Sequence, residues 1–171
     1  MRGAFFILLC CVTTCPAAAE PVLWDEDGGG DDRYYEYVPG ALTWNDARKA
    51  AAERRYHGVP GRLVVIRSRE QNDFVHGLMP EGEQRAWIGL CDIQEEGVFV
   101  WIDGSEPTYT NWSAGEPNDA GGEDCAEMLP TGQWNDKEDD PPANSHPPQG
   151  YLVEYSAKHR LTNAGRDDAA G

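Results

Sequence analysis

The stretch GEPNDAGGEDCAEMLPTGQWND, residues 115–136, sets the tightest limit on how this chain can fold. It holds Glu116, Asp119, Glu123, Asp124, Glu127 and Asp136, together with Asn118 and Asn135, and neither lysine nor arginine. Carboxylates a few ångströms apart repel one another, and burial sharpens the repulsion. The segment is therefore either solvated and loose, or part of a fold that collects a cation. A hard cation such as calcium takes about six to eight oxygens from carboxylates, amide carbonyls and water, which is the donor set this stretch supplies. The Glu-Pro-Asn spacing puts Glu116 and Asn118 on one side of an extended segment and turns Asp119 to the other. In Gln-Trp-Asn-Asp, Trp134 can anchor a strand while Asn135 and Asp136 emerge at its end. Two further acids, Asp92 and Glu96, lie upstream in the same Gly-, Asn-, Asp- and Pro-rich region.

The rest of the composition agrees with a cation-collecting extracellular protein. The chain has 171 residues and a formal net charge of −16. That charge argues against nucleic acid and against an anionic membrane surface as partners. The N-terminus, MRGAFFILLCCVTTCPAAAE, places Arg2 before a short apolar run and small residues at Ala17–Ala19, the pattern of a cleaved secretory signal over residues 1–19. The run is too short to span a bilayer, and no later stretch is long enough. Cleavage removes Cys10, Cys11 and Cys15. It leaves Cys91 and Cys125, an even pair in an oxidising compartment and the expected members of a disulfide.

Hydrophobic patterning predicts one α+β domain. Residues 20–33 are acidic and glycine-rich and read as a flexible lead-in. A strand follows over residues 34–40. A helix is capped by Thr43, with Trp44, Ala47 and Ala51 facing inward. Residues 62–66 read as a strand. A second helix is capped by Ser68, with Gln71 completing a capping box and Phe74, Val75 and Leu78 facing the core. Strands are expected over 86–90 and 98–102, a hairpin over 125–135, and a last strand over 151–155. Residues 157–171 form a polar tail. The region between Cys91 and Gly122 is too long to be a mere connection, which marks it as functional.

The ordered pieces LTWNDARKAAAE, RLVVIRSREQNDFV, AWIGL, VFVWIDGSEPTYTNW, GEPND, GEDCAEM, QWND and GYLVEY resemble the C-type lectin-like domains. The resemblance covers residues 34–156. It implies an α+β fold of two helices flanking small antiparallel sheets, with a long calcium-binding loop. It also implies a principal calcium site at Glu116, Asn118, Glu123, Asn135 and Asp136, whose side chains hold the sugar as well. An auxiliary calcium site falls at Asp92, Glu96, Asp119, Glu123 and Asp124. The Glu-Pro-Asn order looks like the family's mannose-type arrangement, which suits vicinal equatorial hydroxyls of mannose, N-acetylglucosamine or a matching fucose pair. The chain departs from the family in its cysteines. Ala51 and Val153 stand where one family pair would be, and the usual partner of Cys125, near Asp139, is absent. If Asp92 and Asp124 share a calcium, their neighbours Cys91 and Cys125 must lie close enough to bond.

The reading is a secreted lectin using Ca2+, binding glycans, with no catalytic residues and an open oligomeric state. An acidic matrix or mineral-associated protein and a calcium-stabilised protein-recognition module are its rivals. Five tryptophans, Trp44, Trp87, Trp101, Trp112 and Trp134, read as core rather than as sugar-stacking surfaces. Asn111-Trp112-Ser113 is a glycosylation sequon in a structured turn. The proline-rich segment 137–150 lies next to the expected sugar site.

Overall fold

The computed structural model describes residues 20–82, 84–141 and 147–156. The expected signal segment and the polar tail from Ala157 lie outside the described residues, as does the middle of the 137–150 segment. Among the described residues no helix is long and apolar enough to cross a membrane.

Two helices pack on a mixed sheet, as the α+β expectation requires. Helix α1 (Trp44–Glu53) begins at Thr43, whose side chain accepts from Asp46 N–H, and buries Trp44, Ala47 and Ala51. Helix α2 (Arg69–His76) begins at Ser68, whose hydroxyl accepts from Gln71 N–H. The strands are β1 (Val22–Trp24), β2 (Arg33–Pro39), β3 (Arg55–Tyr56), β4 (Val59–Leu63), β5 (Ala86–Cys91), β6 (Val100–Trp101), β7 (Cys125–Met128), β8 (Trp134–Lys137) and β9 (Gly150–Tyr155). The sheet runs β1-β2-β9-β5-β7-β8, with β4 also on β9, β3 on β4 and β6 on β5. All pairings are antiparallel except β5 with β9, where Ala86 faces Gly150 and Trp87 faces Tyr151.

Four local expectations change; the simplest is that the strand read over 98–102 narrows to Val100–Trp101. The lead-in is partly ordered: β1 pairs with β2, Val22 opposite Tyr35, and the Trp24 ring stacks on Phe74 with centroids 5.4 Å apart. One aromatic residue in an acidic, glycine-rich stretch is enough to dock it, because a Trp buries a large apolar area. The strand read over 62–66 ends at Leu63. Beyond it the Val65 N–H donates to the Glu154 carboxylate at 3.1 Å, so a side chain takes the place of a ladder partner. The inner face of α2 is more polar than its pattern: Gln71, Asn72 and Val75 are buried, while Phe74 and Leu78 are only partly so. Burial of these amides is tolerated because each is bonded. Gln71 donates to Tyr35 Oη and Val65 C=O, and Asn72 both donates to Gly132 C=O and accepts from Trp134 Nε1 at 2.8 Å.

The core lies on both faces of the central strands. Tyr35, Ile66, Ile88, Leu90, Trp101, Met128, Trp134 and Leu152 form one cluster; Trp44, Ala51, Leu63, Trp87, Val153 and Tyr155 belong to a second. Ala51 and Val153, at the positions of a family cysteine pair, pack within that second cluster. Gly61 sits against them, where a Cβ would come within 2.8 Å of both Ala51 C=O and a Val153 methyl. Trp44, Trp87, Trp101 and Trp134 are buried, and Trp112 packs against the core, so all five tryptophans are structural.

Candidate functional site

Strand β8 and the loop before β7 bring the two halves of the acidic stretch together. Trp134 is the wedge. Its ring is edge-on to Trp101, Tyr109 and Trp112, its Nε1–H is held by Asn72, and its backbone N–H donates to Asn111 C=O. That anchoring delivers Asn135 and Asp136 to a fixed place along β8. Asp136 is fully buried, and its Oδ2 accepts from the backbone N–H groups of Asn118 at 2.9 Å and Asp119 at 2.8 Å. Its other oxygen, Oδ1, is buried with no partner. The segment ahead turns at a cis Glu116–Pro117 bond, and the Asn118 amide donates to Glu116 Oε2.

A second knot holds the loop around the auxiliary positions. Asp119 adopts a left-handed backbone (φ 48°), a conformation that aspartate tolerates better than most residues. Its Oδ1 accepts from Glu123 N–H at 3.0 Å. Asp92 N–H donates to Asp124 C=O at 3.0 Å, and Asp92 Oδ2 accepts from Gly97 N–H at 2.9 Å. Asp92 Oδ1 is the second buried carboxylate oxygen left without a partner. Glu96, Asn118 and Asp119 are exposed, Glu116, Asp124 and Asn135 half-buried, and Asp92, Glu123 and Asp136 buried.

The electrostatics follow from this crowding. Burial pushes the Glu116 carboxyl up, helped by Asp136 and Glu123. Burial likewise raises Asp92, with Asp124 and Asp119 adding to it and the Gly97 N–H opposing. The charge on Asp119 raises Glu96. Burial raises Glu123, against the pull of the Lys137 ammonium 3.5 Å from its Oε1. Among the described residues no three carboxylate, imidazole or thiol groups converge closely enough to hold a metal by themselves. The nine expected ligand positions nevertheless share one loop system, with an unpartnered buried oxygen in each of the two expected sets. An orphaned carboxylate oxygen is costly unless a cation completes it, so the donor set fits calcium.

Four supporting residues escaped the sequence reading. Lys137 places a cation beside Glu123. Asn72 fixes Trp134. Arg85 reaches Glu127 Oε1 at 2.6 Å, and Asn135 Nδ2 donates to that same oxygen at 3.2 Å. Asp139, where the family's cysteine would fall, bonds the N–H and side-chain amide of Asn45 at 2.9 and 2.8 Å. Its backbone carbonyl accepts from Trp44 N–H at 3.0 Å, which ties the chain after β8 to the start of α1. An acid at an apolar strand's centre, as in Cys-Ala-Glu-Met, was the one available signal. Cys91 and Cys125 face each other across β5 and β7, as expected from their neighbours, but both are thiols in the structure. The Asn111 side-chain amide donates to Gly132 C=O at 2.8 Å, so the sequon nitrogen is engaged by the fold.

Residues 40–144 match the Lectin C-type domain family. This chain belongs to the C-type lectin domain family. It is 44% identical over 103 residues to the low affinity immunoglobulin epsilon Fc receptor of Mus musculus, covering 60% of this chain and 29% of that one. It is 41% identical over 96 residues to the CD209 antigen of Symphalangus syndactylus, covering 54% and 24%. The chain thus spans less than a third of the length of these relatives. Among solved structures, the cow C-type carbohydrate-recognition domain of CD23, determined in the presence of GlcNAc2Man3 oligosaccharide, is 35% identical. The match covers 85% of this chain and 98% of that one, with a TM-score of 0.65. The C-type lectin α+β fold expected from the sequence is the fold found.

Proposed function

We propose that this chain is a secreted, calcium-dependent carbohydrate-binding protein with mannose-type preference. The observation that carries the reading is the buried, unpartnered Oδ1 of Asp136, set beside the Glu116–Asn118 pair. Glu116, Asn118, Glu123, Asn135 and Asp136 are the residues to hold the principal calcium; Asp92, Glu96, Asp119, Glu123 and Asp124 are those for an auxiliary one. Calcium supplies positive charge and open coordination positions for two vicinal hydroxyls in place of water. Glu116 can only accept a hydrogen from a sugar hydroxyl, whereas the amide of Asn118 donates one. That fixed donor–acceptor order selects the geometry of the hydroxyl pair. The similarity to a CD23 domain crystallised with a mannose-containing oligosaccharide supports the mannose-type choice. Binding, rather than bond breaking, is the activity assigned: these carboxylates are committed to a cation and are poor proton donors.

The test exchanges the pair chemically, Glu116→Gln with Asn118→Asp, which keeps the net charge and reverses the donor–acceptor order. At saturating calcium, mannose binding is expected to fall sharply, by about 1–3 kcal/mol per mispaired bond, while calcium affinity falls little. If the variant keeps wild-type mannose affinity, the sugar is not held there, and the matrix or protein-recognition readings take precedence. A Cys91–Cys125 disulfide belongs to the same proposal, and mass mapping of the non-reduced mature protein reads it directly.

A further inference from the structure

Strand β7 carries an acid that the sugar-binding account does not use. Glu127 is fully buried, opposite Trp87 on β5 and opposite Asn135 on β8. Its Oε1 takes two donors, Arg85 Nη1 at 2.6 Å and Asn135 Nδ2 at 3.2 Å, and its Oε2 has no partner. The Asn135 amide nitrogen also donates to the backbone carbonyl of Asp136. An amide can sit in either of two orientations that differ by exchange of its oxygen and nitrogen. Here both neighbours of the nitrogen are pure acceptors, a carboxylate and a carbonyl, so only one orientation is allowed. The Asn135 oxygen is thereby turned away from β7, and no donor to it is found among the described residues.

We propose that Arg85 and Glu127 are positioning residues that lock the amide of Asn135 with its oxygen available to the cation; the assignment rests on the calcium reading above. Arg85 fixes the Glu127 carboxylate through a charge-assisted bond, and Glu127 in turn fixes the amide. The charged bond to Glu127 is the stronger of the two that Asn135 donates, so it persists. The neutral one, to the Asp136 carbonyl, is the hydrogen that a sugar hydroxyl exchanges for. Glu127 thus serves metal and sugar together without touching either.

The decisive variant is Glu127→Gln. A glutamine keeps an oxygen towards Arg85, but a neutral one, so the acceptor that Asn135 shares is weakened and the amide is freer to reverse and present nitrogen to the cation. Titrated with calcium alone, this variant is expected to bind at least about tenfold more weakly, the usual cost of losing a partner that orients a ligand. Adding Asn135→Asp to it is expected to recover most of that loss, because a carboxylate shows oxygen in either orientation. In the calcium-free protein, the Asn135 side-chain NH2 signals in an NMR spectrum are expected to be slow to exchange in the wild type and fast in the variant. Wild-type calcium affinity in Glu127→Gln, or unchanged Asn135 signals, overturns the assignment. So does a loss that Asn135→Asp fails to recover while the chelated protein melts lower, since Glu127 is then only structural. Failure of the underlying calcium reading is distinguishable, because it appears in the wild type before any variant is made.

Discussion

The buried acids of the frame and those of the loop are treated in opposite ways. In the frame, each is matched to an arginine. Glu36 takes Arg54 Nε and Nη2 at 2.6 and 2.9 Å, and Glu154 takes Arg62 Nε at 2.7 Å. Glu127, at the border, shares both traits: one oxygen takes Arg85 and the other is buried without a partner. In the loop, Asp92 and Asp136 each keep a buried oxygen without a partner, and the cation beside Glu123 is a lysine at 3.5 Å rather than an arginine fork. Both regions are closed by hydrogen bonds to backbone, so packing is not what separates them. The difference is where the positive charge comes from. The frame carries its own, and the loop is complete only when one is added.

The largest effect expected from this contrast is in the frame. Arg54→Met leaves Glu36, which is 3% exposed, as an uncompensated buried charge. Breaking a buried pair from one side costs about 3 kcal/mol or more. Denaturant unfolding should show that loss equally with calcium and with chelator. A loss that calcium repairs means the frame and the loop are not independent.

Next comes the same kind of charge removal in the loop, with the opposite sign for the metal-free protein. Asp136→Asn keeps an oxygen to accept from Asn118 and Asp119 N–H but removes the charge. Calcium affinity and calcium-dependent sugar binding should fall at least about a hundredfold, near 2.8 kcal/mol. In chelator the variant should melt no lower than the wild type, because a buried charge facing other acids has been deleted. A markedly lower melt in chelator means Asp136 acts as a frame residue.

How much of this was legible beforehand follows the same line. Spacing alone placed both helices, their Thr43 and Ser68 caps and the inward Trp44, Ala47 and Ala51, because local periodicity and capping are written in neighbouring residues. In the loop, the crowding of acids without a lysine or arginine pointed to a cation, whereas the nine named positions came from the family resemblance. The arginine partners were not: Arg54 meets Glu36, and Arg62 meets Glu154, across separations that no local pattern encodes. The same holds for Asn72 under Trp134 and for Asp139 on α1. Strand β1 was missed because its anchor is a single stacked tryptophan, and the end of β4 because the Glu154 side chain substitutes for backbone.

Acidity offers a third way to separate the regions. Glu116, Glu123, Asp92 and Glu96 all have carboxyls raised above their ordinary range, by burial or by neighbouring charge. For an acid raised in the folded state, the stabilisation is present below the unfolded value, about 4, and is lost as pH rises through the folded value. The chelated protein should therefore melt higher as pH falls through the raised folded values towards the unfolded one, about 4. The calcium-loaded protein should do the reverse, because protons compete with the cation; the stabilisation by calcium, about 2.7 kcal/mol at a hundredfold excess over Kd, shrinks on the way. Glu154, a buried acid of the frame, contributes equally to both melts and cancels in their difference. Parallel curves with and without calcium would sink the idea that the loop acids titrate against the metal.

The smallest effect sharpens the comparison most, since it concerns a cation that the loop does own. Lys137 lies at the end of β8, half-buried, with its ammonium 3.5 Å from Glu123 Oε1. Glu123 is the acid expected to serve both calcium sets, so the lysine and a bound calcium draw on the same charge. Lys137→Gln removes a repulsion between two cations and leaves Glu123 less neutralised when no metal is present. Both changes favour binding. The pair is long, at 3.5 Å, so a weak-pair contribution of up to about 1 kcal/mol is expected: calcium affinity should rise by about two- to fivefold and the chelated protein should melt slightly lower. Calorimetric titration at low and high salt separates the causes: an electrostatic gain diminishes as salt screens it. If Lys137→Gln instead weakens calcium binding, the lysine supports the site as Arg85 supports Glu127, and the loop is less dependent on an outside cation than its unpartnered oxygens indicate.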